Sequence, residues 1–178
     1  MNPTVLILPG YGNSGETHWQ SLWEKKHTHF KRVEQKDWMN PICDEWVASL
    51  EKALNEADSE VFLVAHSMAC LVVAHWASQK HHSIKGALLV GVPDVNVPAF
   101  PKSALGFENT PSTPFDFPSI VVASSDDIYA SVDYAQDRAK VWGSEFVTIG
   151  KKGHINAESN LGFWDEGWQL FERLQKGI

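Results

Sequence analysis

The order in which apolar segments follow one another is the feature that most restricts the fold of this chain. Short runs of β-branched and other apolar residues alternate with longer segments whose apolar residues recur at helical spacing. This alternation is typical of a parallel sheet whose strands are connected by helices that cover both faces. The predicted strands are Thr4–Leu8, Lys31–Val33, Val61–Ala65, Gly86–Val90, Ser119–Ala123 and Glu145–Ile149.

Helical spacing is clearest in three segments, the first of which follows Asn40-Pro41, a typical start signal. The three sets are Trp46, Val47, Leu50, Leu54 and Ala57; Leu71, Val72, Ala74 and Ala77; and Trp164, Trp168, Phe171 and Leu174. We expect each apolar face to cover the sheet. One long stretch, Val92–Pro118, contains six prolines and no regular period, which predicts an excursion over the surface.

No internal repeat and no linker divides the 178 residues, which is an ordinary length for one domain. We therefore predict a single α/β domain over residues 1–178. Its sheet should have six mostly parallel strands in the order 2-1-3-4-5-6, with right-handed crossovers.

Charge, cysteine content and hydropathy exclude several classes of protein. The formal net charge of −7 argues against nucleic-acid binding, which requires clustered Lys and Arg. Cys43 and Cys70 lie in apolar stretches without Cys-x-x-Cys spacing, so neither a disulfide framework nor a metal site is indicated. The N-terminal segment lacks the basic region of a signal peptide, and no apolar run predicts a membrane span. We therefore expect a cytoplasmic protein.

Residues 60–74 carry the strongest functional signal in the sequence. A buried apolar strand turns abruptly into a helix, with Ser67 at the turn. A serine there adopts a strained backbone geometry that lifts its hydroxyl above the sheet edge, where the helix N-terminus favours developing negative charge. The flanking positions must be small, and Ala65 and Ala69 occur where glycine is more common. The pattern predicts Ser67 as a nucleophile, against the alternative of a chance His-Ser pair.

A serine hydroxyl needs a general base close by. Of the eight histidines, His154 is best placed, because it follows the last predicted strand. It should therefore lie at the carboxyl edge of the sheet, on the same side as Ser67. The alternative for His154 is a capping or surface role.

The remaining histidines are weaker candidates. His27 and His29 have the spacing of a metal-binding pair, yet no further ligands accompany them, so a polar helix end is the better interpretation. His81 and His82, near a helix terminus, are expected to complement the helix dipole. His75 is expected to be structural. No metal or organic cofactor is expected.

Two adjacent carboxylates, Asp126 and Asp127, follow the predicted strand Ser119–Ala123. They lie between Ser67 and His154 in the chain, which is the order that α/β-hydrolase sites keep. Adjacent side chains point in different directions, so only one can orient the histidine. We favour Asp127, because it directly precedes residues 128–131, ahead of the next helix. Asp126 is then expected to bond to local backbone and stabilise the turn.

An oxyanion hole requires two main-chain donors. One should be the N–H of Met68, directly after Ser67. The other should come from the glycine-rich residues 8–15, which follow the first strand and allow close approach of a ligand; we choose the N–H of Tyr11. A glycine-rich loop can also bind phosphate, but the Lys-Ser/Thr ending of a P-loop and the complete dinucleotide fingerprint are both missing.

Four segments in order carry a family resemblance: residues 8–15 with His18-Trp19-Gln20, residues 65–69, residues 124–127 and residues 153–156. Together they resemble the retinoblastoma-binding-protein-nine family of serine hydrolases over nearly the whole chain. The resemblance implies a compact α/β hydrolase with a Ser-His-Asp triad, carried over here to Ser67, His154 and Asp127. It also implies esterase-like activity. The partner recorded in the family's name is not transferred to this chain.

The sequence thus predicts an enzyme that acts on a small acyl substrate through an acyl-enzyme. Because the Val92–Pro118 stretch is short and rich in proline, no cap domain is expected, and short acyl chains should be preferred. Its four Phe residues are expected to line a shallow pocket or, more often, to pack in the core: Phe100, Phe107, Phe115 and Phe117. The alternative function is a non-catalytic protein-binding module that retains the hydrolase fold.

Overall fold

Six parallel strands form one sheet in the computed structural model, which describes residues 3–79 and 82–177. The strands are β1 (Thr4–Leu8), β2 (Phe30–Arg32), β3 (Val61–His66), β4 (Gly86–Val90), β5 (Ser119–Ala123) and β6 (Glu145–Thr148). Their order is β2-β1-β3-β4-β5-β6, and every neighbouring pair is parallel. The predicted α/β fold and its strand order are therefore confirmed.

Three of the predicted strands have slightly different limits in the structure. The second strand lies one residue earlier, from Phe30, whose side chain is buried, to Arg32. The third continues to His66, opposite Val90 of β4, and the sixth ends at Thr148. The fully buried strands β1, β4 and β5 have the predicted limits, because burial on both faces leaves an unbroken apolar run.

Five α-helices within the described residues cover the two faces of the sheet. They are α1 (Trp19–Lys26), α2 (Cys43–Asn55), α3 (Met68–Gln79), α4 (Val132–Trp142) and α5 (Asp165–Gln175). The buried side chains of α2, α3 and α4 form one hydrophobic cluster with the sheet. Those of α1 and α5 form a second cluster on the opposite face.

Two helices differ from the sequence-based prediction. Helix α1 was not predicted; His18 caps it, and Trp19 and Trp23 are buried one turn apart. Helix α5 begins at Asp165, so Trp164, which the periodicity places in the helix, is instead its N-cap in the left-handed region at φ 55°. The Trp164 ring occupies the space where a Cβ on Gly167 would lie.

Residues 92–118 are largely irregular, as predicted, but they are not only a surface excursion. Phe107 and Phe117 are buried in the cluster on the α2–α3 face, and Phe100 and Phe115 pack against it. The Leu105 carbonyl also accepts a hydrogen bond from the Cys43 N–H at 2.9 Å. This anchoring fixes the segment beside the carboxyl edge of the sheet.

Several side chains without a predicted catalytic role have identifiable surroundings. His27 stacks on Trp168 with ring centroids 4.5 Å apart. His82 lies 3.1 Å from the Glu51 carboxylate, whereas His81 falls outside the described residues. Cys43 and Cys70 are buried free thiols.

Among the helices of the described residues, none has the length and apolar character required to cross a membrane.

Candidate active site

The turn between β3 and α3 holds Ser67 in a backbone conformation that side chains rarely adopt. Its φ is 57°, in the left-handed region, where a non-glycine residue is strained by about 1–2 kcal/mol. The Ser67 N–H donates to the Val90 carbonyl at 2.8 Å, and the Ser67 carbonyl accepts from the Cys70 N–H at 2.9 Å. Ala65 and Ala69 are buried on either side. This surrounding structure maintains the strained turn that the sequence pattern predicts.

Three side chains form a continuous hydrogen-bonded line at the carboxyl edge of the sheet. The Ser67 Oγ lies 2.7 Å from the His154 Nε2, and the His154 Nδ1 lies 2.8 Å from the Asp127 Oδ2. The His154 and Asp127 side chains are only 9% and 4% exposed. When Nδ1–H donates to the carboxylate, Nε2 can accept the serine proton. The structure thus brings together the three residues singled out in the sequence.

Asp126 makes different contacts from Asp127. Its Oδ1 accepts hydrogen bonds from the Ser124 hydroxyl and from the Gly153 N–H, both at 2.8 Å. These bonds hold the pKa of Asp126 below its ordinary value. The Ser124 Oγ also accepts from the Lys152 N–H at 2.8 Å. Asp126 therefore ties the loop after β5 to the loop that carries His154.

The loop after β1 passes directly over the Ser67 turn. A Cβ on Gly10 would lie 2.8 Å from the Ser67 Cβ and 2.9 Å from the His66 carbonyl oxygen, so this approach requires glycine. The next amide is that of Tyr11. Within the described residues, neither the Tyr11 N–H nor the Met68 N–H donates to another main-chain group. Met68 begins α3, where amide N–H groups have no partner inside the helix.

A buried polar side chain anchors this loop to the centre of the sheet. Gln20 is fully buried, and its Nε2 donates to the carbonyls of Leu8 and Val64 at 3.1 and 3.0 Å. Its Oε1 accepts from the Ser14 hydroxyl at 2.7 Å. The role of Gln20 could not be predicted from the sequence, because a glutamine in a short helix shows no local sign of these tertiary contacts.

Arg32 holds the outer part of the same loop. Its guanidinium donates to the Asn13 Oδ1 at 2.8 Å and to the Ser14 carbonyl at 2.9 Å. It also forms a 2.7 Å ion pair with Glu24 of α1. The loop that follows β1 is therefore fixed from two directions.

Two further histidines, neither of which has a predicted function, lie beside His154. The His66 Nε2 is 2.9 Å from the His154 carbonyl oxygen, and burial holds the pKa of His66 well below its ordinary value. Burial, with contributions from Arg32 and His154, lowers the pKa of His18 to about 3. Both imidazoles are therefore neutral near neutral pH. A neutral His66 can donate its Nε2–H to the His154 carbonyl.

A cavity of about 260 Å³ opens beside the Ser67 hydroxyl. Its lining includes Tyr11, His18, Ser67, Phe100, Tyr129 and His154. Among the described residues, no group of three or more His, Cys, Asp or Glu side chains has the arrangement of a metal site. The cavity does contain a serine hydroxyl that is hydrogen-bonded to a histidine, and this histidine is hydrogen-bonded in turn to a carboxylate.

The sequence matches the serine hydrolase family over residues 5–173. A YdeN-like hydrolase from Pectobacterium atrosepticum has a similar structure, with a TM-score of 0.87 and 30% identity, over 98% of this chain and 91% of that one. The ydeN gene product of Bacillus subtilis has a TM-score of 0.81 and 18% identity, over 98% and 100% of the two chains.

An esterase from Thermogutta terrifontis shares the fold at 16% identity, with a TM-score of 0.70 over 99% of this chain and 90% of that one. Among curated proteins, none matches the sequence significantly. The family match covers nearly the whole chain and agrees with the resemblance found in the sequence. The chain therefore belongs to the serine hydrolase family, within the α/β-hydrolase superfamily.

Proposed function

We propose that this protein hydrolyses small carboxylic esters through an acyl-enzyme intermediate. Ser67 is the nucleophile, His154 the general base and Asp127 the residue that orients His154. The observation that carries the proposal is the line of hydrogen bonds of 2.7 and 2.8 Å from Ser67 through His154 to Asp127, open to the cavity. The acidic net charge of −7 further supports a small-molecule substrate rather than nucleic acid.

In the first step, the Ser67 Oγ attacks the ester carbonyl carbon while the His154 Nε2 takes the hydroxyl proton. The carbonyl oxygen becomes an oxyanion that the N–H groups of Tyr11 and Met68 stabilise. When the tetrahedral intermediate collapses, the bond to the alcohol oxygen breaks, and the alcohol leaves with the proton from His154. The acyl group remains on Ser67.

In the second step, water replaces the alcohol. His154 takes a proton from the water as its oxygen attacks the acyl carbon, and the same two amides stabilise the second oxyanion. Collapse releases the carboxylic acid and returns the proton to Ser67. In both steps the Asp127 carboxylate accepts a hydrogen bond from the Nδ1–H of His154. This bond keeps the His154 Nε2 available as the proton acceptor and stabilises the imidazolium.

The proposal is tested with purified protein by covalent labelling and ester hydrolysis together. A fluorophosphonate should modify Ser67 selectively, as read by mass spectrometry of the labelled peptide, and p-nitrophenyl acetate should be turned over. Prior labelling should reduce the rate of hydrolysis in proportion to the fraction of Ser67 that is modified. A folded protein that neither labels nor hydrolyses any of a panel of esters, thioesters and amides would instead favour the non-catalytic binding module.

We expect kcat/KM on p-nitrophenyl esters to be highest for acetate or butyrate and not to rise for longer chains. Full burial of each added methylene would strengthen binding of the substrate by about 0.8 kcal/mol. A cavity of about 260 Å³, however, cannot enclose a long acyl chain together with the leaving group. The measurement is a series from acetate to decanoate below the micellar concentration. A steady rise to decanoate would require a deep apolar channel.

Gly10→Ala should lower kcat by about 100-fold or more, the effect of disturbing an oxyanion-hole donor. The new methyl group would meet the Ser67 Cβ and the His66 carbonyl, which displaces the Tyr11 amide. Gly15→Ala is the matched control in the same loop, because a Cβ on Gly15 meets nothing within 4 Å; since Gly15 also lines the cavity, any effect of this change should fall on KM rather than on kcat. Equal kcat values for the two variants, with unchanged melting temperatures, would contradict the role given to the loop.

A further inference from the structure

A buried histidine joins the strand that precedes Ser67 to the loop that carries His154. His66 is the last residue of β3 and directly precedes Ser67. It is buried, and its Nε2 lies 2.9 Å from the carbonyl oxygen of His154. The hydrogen bond spans 88 positions of the chain. It is therefore a direct link between the two segments that meet at the site.

The acceptor determines where the proton of His66 lies. A carbonyl oxygen can only accept a hydrogen bond, so the Nε2 of His66 carries the single proton of the neutral imidazole. Burial, with smaller contributions from His18 and His154, holds the pKa of His66 well below its ordinary value. His66 therefore donates without adding a positive charge. A charge there would oppose protonation of His154, because the two ring centroids are only 5.0 Å apart.

The main chain around His154 needs support from outside its own loop. Gly153 and Ile155, on either side of His154, have φ values of 54° and 51°, in the left-handed region. For a β-branched residue such as Ile155 this conformation is an outlier, and it persists only where the surrounding structure enforces it. Ile155 is fully buried, and its carbonyl accepts a hydrogen bond from the Trp19 Nε1–H at 2.8 Å. Two consecutive carbonyls, those of residues 154 and 155, are thus held by buried side-chain donors.

Of these two donors, His66 is the one that acts on His154 itself. Among the described residues, no main-chain N–H donates to the His154 carbonyl, so its hydrogen bond within this part of the protein comes from the His66 side chain. Gly91 also lies against His154: a Cβ on Gly91 would be 3.4 Å from both the Cε1 and the carbonyl oxygen of His154. Without the His66 donor, we expect the loop to shift until the carbonyl finds another partner.

We propose that His66 is a positioning residue whose hydrogen bond to the His154 carbonyl holds the His154 Nε2 within reach of the Ser67 Oγ. This inference rests on the ester hydrolysis proposed above. The 2.7 Å contact between those two atoms closes a short path, which runs from Ser67 through one peptide bond to His66 and through the hydrogen bond to His154. A misplacement of about 1 Å at such a contact can lower a rate about 100-fold.

Two substitutions at this position separate the donor from the bulk of the side chain. His66→Leu removes the Nε2–H, and we expect kcat for p-nitrophenyl acetate and the rate of fluorophosphonate labelling at Ser67 each to fall about 100-fold. His66→Gln retains an amide N–H near the same place, so both rates should stay within about tenfold of the wild type, the worth of one neutral hydrogen bond. Losses in His66→Leu no greater than those in His66→Gln would overturn the proposal.

Trp142→Phe is the matched control for a general loss of stability. Trp142 is fully buried, and its Nε1–H donates to the Pro111 carbonyl at 2.9 Å, the same distance as in the bond from His66. It ends α4 just before β6 begins, so it lies at the opposite edge of the sheet from Ser67. This variant should melt at a lower temperature but keep the wild-type kcat and labelling rate when assayed well below its unfolding transition. A loss of kcat as large as in His66→Leu would contradict the positioning role.

A second measurement, by NMR of protein with ¹⁵N-labelled histidine, does not depend on hydrolysis. In the wild type, His66 should be the Nε2–H tautomer; an Nδ1–H tautomer would refute the proposal even if His66→Leu failed to fold. The Nδ1–H signal of His154 should move or broaden in His66→Leu but not in His66→Gln or Trp142→Phe.

The two measurements together distinguish this inference from the proposed function. The expected NMR changes in a protein that hydrolyses no ester would support the contact made by His66 and refute the proposed function. Unchanged turnover and spectra in His66→Leu, alongside loss of turnover in Ser67→Ala, would refute the role of His66 and leave the proposed function intact.

Discussion

Ser67→Ala is expected to lower kcat for ester hydrolysis by about 10⁶-fold, as loss of the nucleophile does in a well-studied triad enzyme. The change removes the Oγ that lies 2.7 Å from the His154 Nε2, so no acyl-enzyme can form. Alanine fits the same turn, and the melting temperature should change little. The measurements are p-nitrophenyl acetate turnover, fluorophosphonate labelling and thermal unfolding.

The matched control is Ser125→Ala, because Ser125 is an exposed serine in the loop after β5. It should retain wild-type labelling and turnover. Undiminished hydrolysis by Ser67→Ala would show that another residue attacks the substrate and would remove the basis of the mechanism.

Asp127→Asn should lower kcat by about 10⁴-fold, the cost of losing the orienting carboxylate in the best-studied triad. An asparagine amide that donates toward the His154 Nδ1 favours the tautomer with the proton on Nε2, which cannot then accept the Ser67 proton. The rate should be followed with p-nitrophenyl acetate under saturating conditions. The fold should be checked by circular dichroism.

The neighbouring carboxylate provides the control for this prediction. Asp126→Asn should mainly lower the melting temperature, since Asp126 accepts hydrogen bonds from Ser124 and Gly153, whereas the imidazole of His154 is hydrogen-bonded to Asp127. A larger loss of kcat in Asp126→Asn than in Asp127→Asn would show that the roles of the two residues are reversed.

Patterns that depend on neighbours in the chain allowed much of the fold and the site to be predicted. Strands β1, β4 and β5 could be predicted because they are buried on both faces. The turn at Ser67 could be predicted because an apolar strand precedes it, a helix follows it, and the small residues Ala65 and Ala69 flank it. The position of His154 followed from the rule that strand ends meet at one edge of a parallel sheet.

What could not be predicted depends on contacts between distant residues. Helix α1 has only three buried residues, and one of them is Gln20, whose burial depends on hydrogen bonds to Leu8, Ser14 and Val64. No local period indicates such a helix. For the same reason, the positions of His18 and His66 beside His154 and the cavity could not be predicted from the sequence.

At the left-handed turn of Ser67, the stability of the fold and the proposed reaction favour different residues. Glycine adopts a φ of 57° without strain, so selection for stability alone would favour it over serine by about 1–2 kcal/mol. Glycine has no hydroxyl, however, and could not serve as the nucleophile of the proposed reaction. A serine at this position therefore makes the protein less stable than a glycine would, and this is a trade-off between stability and activity at a single residue.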